Sequence, residues 1–236
     1  MPRQLTLPLH RPLSCDRAAF VESPTNAQAL DLVDAWPAWP EGRLALVGPA
    51  GVGKTHLARA WAEKAGAVVI EAGAPSPAGA PLDLAVLRGR AVLVEDADRP
   101  AVGGPVDDET LFHLINMAGV DGGSLLLTGR LAPVAWEASV PDLRSRLNAL
   151  AVARIEEPDD IVLEAVLRRG FEAAGIRPAA DLYPYLMARL PRSASEALAA
   201  VAALDEAAIE QRREVNKALA LSVLDFGDED EEEEAE

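Results

Sequence analysis

The stretch from Leu44 to Ala65 constrains this chain more than any other. A continuous apolar run, Leu44-Ala45-Leu46-Val47, leads through Gly48-Pro49-Ala50-Gly51-Val52-Gly53-Lys54-Thr55 into a segment with Leu57, Ala58, Trp61 and Ala62 at helical spacing. A short strand with no polar alternation is apolar on both faces, as in a parallel sheet covered by helices. The eight residues after it match G-x-x-x-x-G-K-[ST] in the required place, between a strand and a helix. Glycines let backbone N–H groups approach phosphate oxygens, and the helix N-terminus adds positive potential. In such a loop the lysine, here Lys54, reaches the β- and γ-phosphates, and the hydroxyl of Thr55 faces Mg2+. Only three lysines occur among the 22 basic residues (Lys54, Lys64 and Lys217), so a lysine at this place is hard to ascribe to chance. The pattern predicts a site for ATP or ADP with Mg2+.

Further strands follow at Val68 to Ile70, Ala91 to Val94, Ser124 to Leu127 and Val152 to Ile155. Helical patterns lie at 26–33, 54–65 and 107–118, the last with Leu111, Leu114, Ile115 and Ala118 on one face. Strands alternating with helices imply an α/β domain with a parallel sheet over 16–157. After Pro158 only helical patterns remain, over 159–174, 180–190, 194–212 and 215–224, which predicts a small all-helical subdomain over 158–225. Residues 1–15 are Pro-rich and without helical period, a flexible tail. Residues 226–236 close the chain with an acidic run expected to be disordered by self-repulsion.

Val92-Leu93-Val94-Glu95-Asp96 ends a buried strand in carboxylates, 42 residues after Lys54-Thr55 begin their helix. In a phosphate-loop fold that strand edge faces the nucleotide, where an acid organises Mg2+. ATPases usually place Asp before Glu, and here the order is reversed. Glu95 is longer by a methylene where the metal contact is expected, and Asp96 is shorter where a base would reach water. Slow or absent hydrolysis by the chain itself is the expectation.

These motifs, with three further segments, resemble the DnaA-related AAA+ proteins, and among them the Hda-type regulators of DnaA, over residues 1 to about 224. Phe20-Val21-Glu22-Ser23-Pro24-Thr25-Asn26 is similar to the family's entry segment, which lies beside the adenine and implies a base contact at Val21. Leu125-Leu126-Leu127-Thr128-Gly129 is similar to its sensor-one strand, with Thr128 watching the γ-phosphate. Pro141-Asp142-Leu143-Arg144-Ser145-Arg146-Leu147 is similar to its arginine-finger box, with Arg146 at the finger. The resemblance implies an AAA+ P-loop domain with a small helical lid. It departs in the lid, where the second sensor arginine falls on Ser195 and Arg192 lies about one turn earlier. Gln4-Leu5-Thr6-Leu7-Pro8-Leu9 is similar to the Hda-type peptide for the DNA polymerase sliding clamp (its beta subunit), a glutamine followed by alternating leucines (Leu5, Leu7, Leu9) beside Pro8. The implied function is negative regulation of replication initiation. The chain, tethered to the clamp, presents Arg146 in trans to ATP on the DnaA initiator.

Composition narrows the alternatives. The net charge is −16, and eight carboxylates between Asp228 and Glu236 account for half of it. The acidic balance argues against a protein that grips phosphate backbones, so no direct DNA binding is expected. A single cysteine excludes a disulfide framework and fits a reducing cytoplasm. No apolar run approaches the 18 residues or more of a membrane span, and no apolar core precedes Cys15 to suggest export. The four tryptophans read as packing residues, and His10, His56 and His113 show no ligand spacing. The competing reading is an active AAA+ ATPase, a helicase loader or transposition helper. A P-loop kinase ranks below it, since no acceptor pattern accompanies Arg168, Arg169, Arg177, Arg189 and Arg192. Relatives place nucleotide between subunits, which makes a homo-oligomer an expectation as well.

Overall fold

The structure is a computed structural model, and it describes residues 16–74, 82–224 and 226. Five parallel strands form one sheet in the order β2-β3-β4-β1-β5: β1 (Arg43–Val47), β2 (Val68–Glu71), β3 (Ala91–Glu95), β4 (Ser124–Gly129) and β5 (Val152–Arg154). Helices α1 (Ala27–Asp34), α2 (Lys54–Ala65), α3 (Asp108–Met117) and α4 (Pro141–Asn148) cover it. The unbroken apolar strands are explained by two cores, one on each face. Ala45, Val47, Val92, Val94, Leu125 and Leu127 pack with Leu111, Leu114 and Ile115 of α3 and Leu143 and Leu147 of α4. Leu44, Leu46, Leu93 and Leu126 point the other way, onto Leu30 and Val33 of α1 and Leu57, Ala58 and Trp61 of α2. The two-residue period of a strand sends alternate side chains to opposite cores, so both sets must be apolar. Trp39 and Trp61 pack with ring centroids 5.0 Å apart, and Trp36 donates from Nε1 to Ser124 Oγ at 3.0 Å.

Cys15–Glu157 is one compact unit, and the chain from Pro158 belongs to a second. Its helices are α5 (Asp160–Ala173), α6 (Leu182–Arg189), α7 (Ala194–Gln211) and α8 (Lys217–Val223). They enclose a separate core of Leu163, Leu167, Phe171, Leu186, Val201, Leu204 and Leu219. Gly170 lets α5 approach α7 closely, since a Cβ there would lie 3.2 Å from Val201 Cγ2. No helix among the described residues is long and apolar enough to cross a membrane.

Most of the later helices start with a side-chain cap. Asp107, Asp159, Ser193 and Asn216 each accept from a backbone N–H in the first turn of α3, α5, α7 and α8. Asp107 Oδ1 accepts from Thr110 N at 2.8 Å, and its hydrogen bonds with Thr110 hold its carboxyl below the usual aspartate range. Asp107→Ala should therefore cost about 1 kcal/mol of stability near neutral pH. A carboxyl with a depressed folded-state pKa stabilises above its unfolded value and loses that contribution as pH falls through its folded value. Urea unfolding at pH 7 and again below about pH 3 should show the difference between wild type and variant shrinking in acid.

Candidate functional site

The site lies where the strands end. β1 pairs β4 with Val47 opposite Gly129, and β3 lies on the far side of β4, so Gly48, Gly129 and Glu95 share one sheet edge. Gly48 is required there by close approach, because a Cβ would stand 2.2 Å from the carbonyl oxygen of Ile155. Gly51 and Gly53 take positive φ angles of 74° and 100°, which turn the chain tightly enough for the loop to feed α2. A Cβ on Gly53 would lie 3.0 Å from Phe20 Cε2, and the Phe20 ring meets His56 edge-on with centroids 5.4 Å apart.

Gly53 is also the N-cap of α2 and provides no side-chain cap. The first N–H groups of any helix lack intrahelical acceptors. At α2 they stand behind a glycine loop, with the positive end of the helix dipole, and can receive an anion. Lys54 is buried, and its ammonium donates to the carbonyls of Gly48 at 2.8 Å and Pro49 at 2.6 Å. Two of its three donors are thus engaged by the loop itself. Burial lowers the pKa of Lys54. The charges of Asp96 and Asp98 oppose that shift, and those of Arg130 and Arg99 reinforce it. Thr55 is exposed at the start of the helix.

The acidic end of β3 is organised by β4. Asp96 takes a left-handed φ of 53°, and its N–H donates to Thr128 Oγ1 at 3.0 Å. Ala97 N donates to the carbonyl of Thr128 at 2.8 Å. Thr128 is therefore buried and fastened to the backbone of the acidic segment. Asp98 Oδ2 accepts from Arg130 N at 2.7 Å, while Asp98 Oδ1 is buried without a hydrogen-bond partner. Glu95 is only 7% exposed. Its Oε2 accepts from Arg59 Nη2 at 2.6 Å and Nε at 3.1 Å, and its Oε1 is buried and unpartnered. An unpartnered carboxylate oxygen is the chemistry a cation would need, which makes Glu95, with the Thr55 hydroxyl, a candidate to hold Mg2+. No cluster of three or more metal-ligating side chains exists among the described residues.

The entry segment is a hydrogen-bonded turn. Asn26 Nδ2 donates to the carbonyl of Val21 at 2.9 Å, Ser23 N donates to Asn26 Oδ1 at 3.0 Å, and Glu156 N donates to the carbonyl of Thr25 at 3.0 Å. The turn is thereby tied to the strand edge through the chain after β5. Arg146 lies on α4, whose Leu143 and Leu147 face the core. It is exposed, and among the described residues it takes no ion pair. In the helical unit Arg192 pairs with Asp160 at the start of α5, and Ser195 Oγ lies 2.9 Å from Ser193 Oγ. The guanidinium considered as a stand-in for the second sensor is thus occupied locally. Gln4, Leu5, Leu7, Pro8 and Leu9 lie outside the described residues.

Arg59, Glu71 and Asp98 were not anticipated from sequence. Arg59 follows Thr55 by four residues and so shares its helix face, which was a readable signal. Glu71 carried none, because its place beside Glu95 depends on strand order.

No protein-family model and no curated relative matches the sequence. Solved structures do. Domain III of the replication initiation protein DnaA from Thermotoga maritima superposes with a TM-score of 0.72 at 18% identity, covering 90% of this chain and 96% of that one. The chain has the AAA+ P-loop fold. A RuvB variant from Thermotoga maritima gives 0.65 at 16% identity, over 91% of this chain and 72% of its own. A DnaA initiator bound to AMPPCP and single-stranded DNA gives 0.62 at 16% identity, over 86% and 69%. In this fold Gly48 to Thr55 forms the turn from β1 into α2, Glu95-Asp96 ends β3 and Thr128 lies near the end of β4.

Proposed function

We propose that the chain binds ADP or ATP at Gly48 to Thr55 and acts as a negative regulator of replication initiation. In this reading it is held at the sliding clamp by Gln4 to Leu9 and stimulates ATP hydrolysis on the DnaA initiator through Arg146. The observation that carries nucleotide binding is the glycine loop in front of an α2 N-terminus with no side-chain cap, with Lys54 folded over it. Val21 would border the base, and Thr55 with Glu95 would hold Mg2+, whose charge offsets that of the phosphates. Thr128 acts through the backbone of Asp96, so it can position that carboxylate without itself taking a proton. Arg146 is exposed and takes no ion pair among the described residues, which supports action on a second molecule. The reversed Glu95-Asp96 order, the occupied Glu95 and the pairing of Arg192 with Asp160 favour slow turnover by the chain itself.

The competing reading, an active AAA+ motor or loader, requires substantial intrinsic hydrolysis. Identification of the nucleotide that copurifies, together with a sliding-clamp pull-down of wild type and Gln4→Ala, separates the two. Bound ADP, negligible turnover and clamp binding reduced at least about tenfold in the variant are expected. Rapid intrinsic turnover with no clamp binding would support the motor.

A further inference from the structure

β2 and β3 run parallel with Glu71 directly opposite Glu95. Two carboxylates abreast on neighbouring strands repel one another. Arg59, within α2, sits between them. Its Nη2 donates to Glu71 Oε1 at 2.7 Å as well as to Glu95 Oε2, and its Nε also goes to Glu95. The fork therefore commits two contacts to the buried acid and one to the exposed acid. The hydrogen bonds with Glu95 and then Glu71 push the guanidinium pKa further upward, so its charge is permanent.

We propose that Arg59 is a built-in counter-charge for Glu95, in the place where a P-loop site relies on the nucleotide's cation to neutralise the acid at the strand end, and that it makes nucleotide binding here largely independent of Mg2+. The inference rests on the nucleotide-binding reading and adds to it a prediction about the cation. A divalent ion gains from a carboxylate in proportion to the charge left uncompensated. In this site Oε2 of the buried acid is already held by the guanidinium, which the solvent-exposed Glu71 shares, and only Oε1 is left without a partner. Removing the ion then leaves Glu95 with its counter-charge still in place. Arg59 acts through Glu95 and is a positioning residue. If it served only to hold the two strands' acids side by side, its loss would lower stability without altering the response to the cation.

The test is calorimetric ADP binding in Mg2+ and in EDTA, for wild type, Arg59→Met, Glu95→Gln and the double variant. Wild type should show affinities within about threefold between the two conditions, and Arg59→Met a ratio of at least about tenfold in favour of Mg2+. The double variant should return to the wild-type ratio, because the unpaired charge that attracts the ion is gone. A wild-type ratio of about tenfold or more, or an unchanged ratio in Arg59→Met, overturns the proposal. Should Arg59→Met fail to fold, Glu95→Gln decides, since it keeps the size of the buried group. A loss of about tenfold or more in its ADP affinity in Mg2+ also overturns the counter-charge. Failure of wild type to bind ADP in either condition sinks the nucleotide reading itself. Binding that Lys54→Ala removes, with the wrong Mg2+ response, sinks only the role of Arg59.

Discussion

Arg146→Ala is expected to remove most of the stimulation that this chain gives to ATP hydrolysis on a DnaA initiator, by roughly 10³-fold or more. Its own ADP affinity and melting temperature should stay unchanged. A guanidinium brought to another molecule's γ-phosphoryl neutralises charge that develops in the transition state, which is why so large a factor can hang on one side chain. The setting of the side chain is compatible with such a role. α4 begins at Pro141 and buries Leu143 and Leu147, so Arg146 is turned to solvent on a helix anchored from behind. In a chain with 38 acidic residues, none among those described pairs with it. Instead its charge acts on Arg43, a buried side chain whose pKa is lowered first by burial and then by Arg146. Arg144 is a useful control, because its Nη2 already donates to the carbonyl of Ala138 at 3.2 Å. Arg144→Ala should change stimulation far less. Arg146→Lys should not restore it, since an ammonium cannot reproduce a planar fork on phosphoryl oxygens. A hydrolysis assay with radiolabelled ATP on the initiator, in the presence of clamp-loaded DNA, checks all three. Unchanged stimulation by Arg146→Ala would exclude the finger.

The second large effect concerns the fold of the loop. Gly48→Ala is expected to lower stability by about 3 kcal/mol and to abolish measurable ADP binding. The new Cβ would be 2.2 Å from the carbonyl oxygen of Ile155 and 3.2 Å from its carbon. Both atoms are backbone, and Ile155 is held by its own N–H to the carbonyl of Val47 at 2.9 Å. Relief would have to move the chain after β5 away from β1, the very edge from which the glycine loop leaves. Gly175→Ala provides the contrast. That glycine also has a positive φ, of 72°, but nothing lies within 4 Å of its Cβ position. Its substitution should cost only the backbone preference, about 1–2 kcal/mol. Urea unfolding of both variants measures the difference. Equal losses at the two positions would show that the approach of Ile155 is not what requires glycine at Gly48.

Local chemistry made the loop and its supporting sheet legible. Runs such as Leu44 to Val47 and Leu125 to Leu127 had no polar alternation, and a strand apolar on both faces has few settings other than a covered parallel sheet. Helix limits were readable to within a residue or two because caps are local. The pattern over 107–118, for instance, became α3 from Asp108 with Asp107 as its cap. The helix carrying Arg146 was not read from the sequence, since eight residues with two buried leucines make a weak periodic signal.

The acids of the site divide along the same line. That Glu95 would end a buried strand near the loop followed from the residues around it. That it would already be neutralised did not, because the pairing depends on β2 lying beside β3 with Glu71 opposite Glu95, and on α2 crossing them at Arg59. The seating of Phe20 against Gly53, and the fastening of Asp96 to Thr128, likewise join residues 33 and 32 positions apart. Short-range patterns, with periods of two and 3.6 residues and a glycine-lysine spacing, determine which elements form and where a phosphate can be held. Which charges meet at that place is an outcome of strand order and helix packing, and pairwise electrostatics acts only on groups that the completed fold has brought within a few ångströms.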